Sequence, residues 1–265
     1  MSRDLTTPGY WDGQWRGARS RRAPRRMAVD RLLTRFLDLA GEAPVDVLEL
    51  GCAPGDLLER MYRLRPRHRY HGLDYSPEGI AATRARLDAA GVEAALHEGD
   101  LRAFDRPGAF DLVLSLGLLE HFEDPAAIVR AHARLCRPGG HVALSVPNYA
   151  SPVPRWFLAR MDPGALETHR LPTMQVDVLQ RAFEAAGLEG VDVGGVGGPK
   201  VRTRTADRTL ARRVLRGVAR LINGLGRVVP GSLAWHSTLV ATGRVPRAPS
   251  NGPGNPVRRH GISLE

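Results

Sequence analysis

Glu49, Gly51, Gly55 and Asp74 stand at spacings that suit a nucleoside carrying positive charge. The run Val45-Asp46-Val47-Leu48-Glu49-Leu50-Gly51-Cys52-Ala53-Pro54-Gly55-Asp56 is a dense apolar segment that ends in a glycine turn. Val45, Val47, Leu48 and Leu50 read as a strand covered on both faces. Gly51 and Gly55 let the backbone turn sharply and come close to a ligand. Pro54 suits the first turn of a following helix. Asp74 lies 23 positions after Gly51, at the end of a second strand, in Arg69-Tyr70-His71-Gly72-Leu73-Asp74-Tyr75-Ser76-Pro77-Glu78. An acid there can accept two hydrogen bonds from ribose hydroxyls. A dinucleotide would need Gly-x-Gly-x-x-Gly, but Ala53 and Asp56 occupy its second and third glycine positions. Glu49 and Asp56 would also repel a pyrophosphate, whereas a cationic or zwitterionic ligand is tolerated. A nicotinamide oxidoreductase is therefore disfavoured.

Three later segments extend the pattern. Glu98-Gly99-Asp100-Leu101 is a Gly-Asp turn after a weak strand near Ala94–His97. Phe110–Leu116 is an apolar strand that leads into Gly117-Leu118-Leu119-Glu120-His121-Phe122-Glu123-Asp124-Pro125. Arg137-Pro138-Gly139-Gly140 reads as a helix stop and a turn before a fifth strand, His141–Asn148. Taken in order, these motifs resemble those of class I S-adenosylmethionine-dependent methyltransferases. The Gly117–Pro125 stretch resembles the form found in small-molecule and lipid-quinone members. The resemblance covers about residues 45–148, with a looser match to about 243.

The resemblance implies S-adenosyl-L-methionine as cofactor. It places Glu49, Gly51, Cys52, Ala53, Gly55, Asp74, Tyr75, Asp100, Leu101, Ser115 and Leu116 around it. Asp100 would meet the adenine amino group, and the Leu101 amide a ring nitrogen. Cys52 lies in the nucleoside loop, where it packs rather than reacts. The implied fold is α/β: a doubly wound, mostly parallel seven-stranded sheet with an antiparallel last strand. Ser115-Leu116-Gly117-Leu118 stands where amino-nitrogen methyltransferases usually carry Asx-Pro-Pro-aromatic, which argues against exocyclic base or glutamine nitrogens as targets.

Methyl transfer from a sulfonium needs alignment above all. An oxygen acceptor also needs its proton removed. His121, with Glu120 and Asp124 near it in sequence, is the first candidate base, His169 the second and His236 a third. No clustered Cys or His spacing marks a metal site. The expected activity is methylation of a small or lipid-like acceptor at oxygen. The alternatives are an RNA or protein methyltransferase using the basic ends, and a methyltransferase-like scaffold without turnover. Against the scaffold stands the complete acid and glycine set.

Elements to hold these groups are legible along the chain. The 265 residues suffice for one sizeable domain. No segment reads as a membrane span or a signal peptide. Two cysteines, Cys52 and Cys136, make no disulfide framework, so a reduced, cytoplasmic setting is expected. The net charge of +10 is unevenly spread: residues 1–40 carry nine Arg against four acids, residues 200–265 thirteen Lys plus Arg against two, and residues 41–199 sixteen Arg against twenty-two.

Residues 1–26 read as a flexible basic arm. Its Tyr10, Trp11 and Trp15 either cover the cofactor as a lid, with cation–π contact to the sulfonium, or anchor the arm. A helix over 27–39 buries Val29, Leu32, Leu33, Phe36 and Leu37. The methyltransferase domain spans 27–243 with insertions at 149–172 and 197–232. The first insertion, with Trp156, Phe157 and Met161, either shapes an apolar acceptor pocket or forms a local core. A helix over 173–186, a strand over 191–196 and a last strand over 233–241 follow, and 244–265 reads as a disordered tail. Within 207–227, Leu210, Val214, Leu215, Val218, Leu221, Ile222 and Leu225 share one helix face, opposite Arg208, Arg212, Arg213, Arg216 and Arg220. This basic amphipathic helix could cover the domain, make peripheral membrane contact, or meet an acidic protein or nucleic acid. Nucleic acid is disfavoured, since no aromatics interleave with its arginines.

Overall fold

Seven strands form one sheet in the order β3-β2-β1-β4-β5-β7-β6. They are β1 (Asp46–Leu50), β2 (Arg69–Asp74), β3 (Ala95–Glu98), β4 (Phe110–Leu116), β5 (Cys136–Pro147), β6 (Glu189–Val196) and β7 (Thr238–Arg244). β7 runs antiparallel to both β5 and β6, and the remaining pairs are parallel. The computed structural model describes residues 4–16, 27–198, 201, 209–225 and 236–247.

The helices are α1 (Pro8–Trp15), α2 (Met27–Leu39), α3 (Asp56–Leu64), α4 (Pro77–Ala90), α5 (Pro125–Leu135), α6 (Pro152–Met161), α7 (Gly164–Glu167), α8 (Val176–Ala185) and α9 (Leu210–Leu225). They cover the sheet on both sides. On one side Leu33, Phe36 and Leu37 of α2 and Leu58 and Met61 of α3 pack with Val47, Leu112 and Leu114. On the other, Val129 and Leu135 of α5 and Leu179 and Phe183 of α8 pack with Leu48, Leu50 and Val113. A strand buried on both faces needs apolar residues at consecutive positions, which is how β1 and β4 read. The chain winds outward from β1 to β3, then returns to β4 on the other flank. The crevice at that reversal, beyond the carboxyl ends of β1 and β4, is where ligands of doubly wound sheets bind.

Local chemistry sets the helix starts at this edge. Gly55 sits at φ +83° as N-cap of α3, and a Cβ there would lie 2.8 Å from Thr83 Cγ2. Ser76 caps α4 by accepting from the Gly79 amide, with Pro77 next. Asp124 caps α5 by accepting from the Ala127 amide, with Pro125 next.

Several boundaries move. The helix expected over 173–186 splits into a tight turn at Leu171–Met174 and α8. The last strand starts later and continues past 241, because β7 pairs with β5 from Thr238–Pro147 through Arg244–His141. Residues 233–235 of the expected strand lie outside the described residues. Arg137–Gly140 belongs to β5, with an irregularity where the register steps from Phe110–Cys136 to Leu112–His141. The arm is docked over 4–16 rather than loose, and its basic stretch at 19–26 lies outside the described residues, as do 248–265 of the expected tail. The two insertions share a small core: Phe157 and Met161 of α6 pack with Val201 and with Ala219 of α9. Among the described residues no helix is long and apolar enough to cross a membrane.

Candidate active site

A cavity of about 210 Å³ opens at the crevice. Gly51 and Ala53 reach it from the turn after β1, Asp74 and Tyr75 from the end of β2, Asp100 and Leu101 from the turn after β3. Leu116, Gly117, Leu118 and His121 reach it from the segment after β4, and Thr6, Trp11 and Trp15 cover it from the arm.

Asp74 is held on its backbone side. Oδ2 accepts from the Ala53 amide at 3.1 Å and Oδ1 from the Ser76 amide at 3.0 Å. A carboxylate offers four acceptor positions in all, so these two amides do not exhaust it. Burial raises the Asp74 pKa against those amide bonds. A side chain at Gly51 would lie 3.0 Å from Leu118 Cδ1 at the cavity wall, so glycine there keeps the floor open. These acceptors, a glycine floor and aromatic cover fit an adenosine-type ligand.

Asp100 is bound by Arg102, a residue the sequence did not flag. The Arg102 amide donates to Oδ1 at 2.8 Å, and its guanidinium engages both carboxylate oxygens while also reaching Asp4 of the arm. The Arg102 hydrogen bond holds the Asp100 carboxyl below its usual range. The same guanidinium lies 5.8 Å from the Phe122 ring centre.

The arm is fastened at several points. Ser76 Oγ donates to Asp12 Oδ1 at 2.5 Å, the Leu5 amide donates to the His121 carbonyl at 2.9 Å, and Trp11 Nε1 donates to Thr6 Oγ1 at 2.9 Å. The Trp11 ring meets His121 edge-on at 5.1 Å.

His121 Nδ1 lies 2.6 Å from the Thr168 carbonyl. A carbonyl only accepts, so Nδ1 carries the proton and Nε2 of the neutral ring carries a lone pair. Burial, then the neighbouring His169, bring the His121 pKa down to about 4 against the Thr168 bond. His169 stands 4.8 Å away, ring to ring, and its Nδ1 contacts the Ala165 carbonyl at 2.6 Å. Burial pushes the Glu120 carboxyl up to about 8, and its Oε2 has no hydrogen-bond partner. Donor atoms of Glu120, His121 and His169 lie within 4.8 Å of one another, a convergence that sequence spacing did not announce.

The structure thus brings Gly51, Ala53, Asp74, Tyr75, Asp100, Leu101, Leu116 and His121 to one cavity and leaves six expected residues off its lining. Glu49 is 1 % exposed behind the turn, with Oε2 unpartnered; burial, then Asp56 and Asp74, push its pKa well up. Cys52 packs beside Gly72, where an added Cβ would stand 2.7 Å from Sγ, and burial raises its thiol pKa well above the usual value. Gly55 turns the backbone beneath α4. Ser115 points away, its Oγ 2.9 Å from His132 Nε2; His132 Nδ1 donates to the Ile128 carbonyl, so the serine hydroxyl is the donor. His169 backs His121 from the insertion without lining the cavity. His236 lies beside Gly195 of β6, away from it.

Over residues 19–193 the chain matches the methyltransferase-domain family. It belongs to the class I S-adenosylmethionine-dependent methyltransferases. Its cofactor is S-adenosyl-L-methionine. Among relatives of this methyltransferase is the ubiquinone biosynthesis O-methyltransferase of Sodalis glossinidius (strain morsitans), 40 % identical over 124 residues, which cover 46 % of this chain and 48 % of that one. The enzyme of the same name from Xanthomonas euvesicatoria pv. vesicatoria (strain 85-10) is 33 % identical over 168 residues, covering 60 % and 68 %. The chain spans about half the length of the first of these.

Two solved structures share the methyltransferase's fold. Phosphoethanolamine N-methyltransferase 2 of Haemonchus contortus, with S-adenosyl-L-methionine, superposes with a TM-score of 0.59 at 14 % identity, over 91 % of this chain and 58 % of that one. The cyclase SpnF gives 0.59 at 19 %, over 87 % and 86 %. The likeness to a cyclase means that fold alone leaves the reaction open.

Proposed function

We propose that this methyltransferase moves the methyl group of S-adenosylmethionine to an ionisable oxygen of a lipid-like, quinone-type acceptor. The observation that carries the reading is His121, a neutral imidazole at the cavity wall whose free lone pair is fixed at Nε2 by Thr168. The names of the relatives, ubiquinone biosynthesis O-methyltransferases, point to the same acceptor class. Apolar side chains at Leu101, Leu116, Leu118, Phe122 and Trp11 suit an acceptor of that kind.

When bound, S-adenosylmethionine supplies a methyl on a positively charged sulfur that takes back the bonding electron pair. Asp74, held by backbone amides at the end of β2, would accept from the ribose hydroxyls. The Leu101 amide would meet the adenine edge, beside an Asp100 carboxylate whose acceptor positions Arg102 takes up. Trp11 and Trp15 close the cavity and exclude water. His121 would receive the acceptor's O–H proton at Nε2, leaving the oxygen as the nucleophile. The low pKa of His121 belongs to the neutral, buried ring. An acceptor oxygen gaining negative charge beside it favours the imidazolium and raises that value. The His169 ring packs against His121 at 4.8 Å, and Thr168 orients the His121 ring.

The test is methyl transfer from isotopically labelled S-adenosylmethionine to a prenylated catechol and to its amine analogue, with product identification by mass. Label in a methyl ether of the catechol supports the reading. Label on the amine alone contradicts it.

A further inference from the structure

Five large apolar side chains are exposed among the described residues: Tyr10, Trp156, Val214, Val218 and Leu221 make up the set, and four of them sit on the α6–α9 pair. α9 is divided lengthwise. Leu215, Ala219 and Ile222 pack against Phe157 and Met161 of α6. Val214, Val218 and Leu221 face outward, 60 %, 44 % and 66 % exposed. At ~100° per residue those three span about 60° of the helix, and Arg213 and Arg220 lie roughly 100° further round. The helix is held in this pose by Asn223, whose side chain exchanges two hydrogen bonds with the Val201 backbone at 2.7 and 3.1 Å. Its contact with the domain therefore accounts for only part of its apolar surface.

We propose that the outer stripe of α9, with α6 beside it, docks on an anionic phospholipid bilayer. Charge decides among occupants. α9 carries four arginines and no acid, and α6 carries Arg155 and Arg160 and no acid. A second copy meeting this patch by twofold symmetry would set arginines against arginines. Nucleic acid would satisfy the arginines but leave Val214, Val218 and Leu221 wet. A helix with an apolar stripe flanked by arginines suits a bilayer interface, where stripe and cations are both satisfied. Arg160 lies 4.0 Å over the Trp156 ring, an amphipathic pair of the kind that sits at headgroup level. The same insertion continues through α7 to Thr168, whose carbonyl holds His121, so docking would bring the wall of the active site to the lipid surface. The surface rests on α6 and α9 alone, and its test involves no acceptor.

The test is flotation of the full chain with vesicles of phosphatidylcholine alone and with about a third phosphatidylglycerol, at low and high salt. The expected result is binding to the anionic vesicles only, weakened by salt. Val214→Ser with Leu221→Ser, and separately Arg213→Glu with Arg220→Glu, should each lower partitioning about tenfold or more, with S-adenosylhomocysteine affinity and circular dichroism unchanged. Absence of binding to anionic vesicles overturns the proposal. So does equal binding by the variants, which would place contact in the other basic segments. Sedimentation showing a dimer that the Val214 and Leu221 changes dissolve would assign the stripe to a second copy instead.

Discussion

The Thr168 carbonyl accepts a 2.6 Å hydrogen bond from His121 Nδ1 across 47 positions of sequence, and this bond ties the post-β5 insertion to the turn after β4. The tie is reinforced next door, where the Arg170 amide donates to the Glu120 carbonyl at 2.7 Å. The insertion thereby sets the tautomer of a histidine that lines the cavity.

His121→Asn should lower kcat by about 10²–10⁴-fold, the usual worth of a positioned general base. S-adenosylhomocysteine affinity should stay within a few-fold of wild type. Unchanged turnover, measured by methyl transfer, would remove His121 from the chemistry.

Glu120 gives a pH signature in stability. Its carboxyl holds a proton in the folded chain up to about 8, while the unfolded chain releases it near the ordinary value of 4.5. Between those values folding requires proton uptake, so this group costs stability as pH rises and its cost levels off above about 8. The melting temperature of Glu120→Gln should therefore gain on wild type as pH rises from about 5 to 8. Parallel curves for the two proteins would contradict the burial argument.

His132 and His121 act with the opposite sign. Burial brings each down to about 4 from 6.5, so the unfolded chain binds more protons between those values. Stability should fall as pH drops from about 6.5 to 4. Thermal denaturation of His132→Gln should show a shallower acid loss than wild type.

Ser115→Ala separates a structural from a cofactor role. It leaves the buried His132 Nε2 without its donor, at a cost of about 1–3 kcal/mol in chemical denaturation. Cofactor affinity, measured by calorimetry, should not change. A tenfold loss of affinity with intact stability would restore Ser115 to the site.

What could be read from sequence follows from where burial is symmetric. β1 and β2 each end in a turn or an acid, so Gly51 and Asp74 are fixed at the sheet edge by where the apolar run stops. Ser115 was harder to place. β4 is buried on both faces, so its composition has no period of two and gives no sign of which face Ser115 takes. Thr168 and His169 reach His121 through packing of an insertion, which local pattern does not encode. Arg102 carried one faint signal, its position two residues after Asp100, where an Asx turn would place its amide. The wheel of α9 identified an apolar face but could not show that α6 takes only one side of it.

If this cavity holds S-adenosylmethionine, Asp74 receives its ribose. Calorimetric titration of S-adenosylmethionine, S-adenosylhomocysteine and NADH into wild type and Asp74→Ala tests it most directly. The expected result is micromolar binding of the first two, none of NADH, and at least a tenfold loss in the variant while it remains folded. A folded wild type that binds neither sulfur ligand, or a variant that binds them equally well, would contradict it.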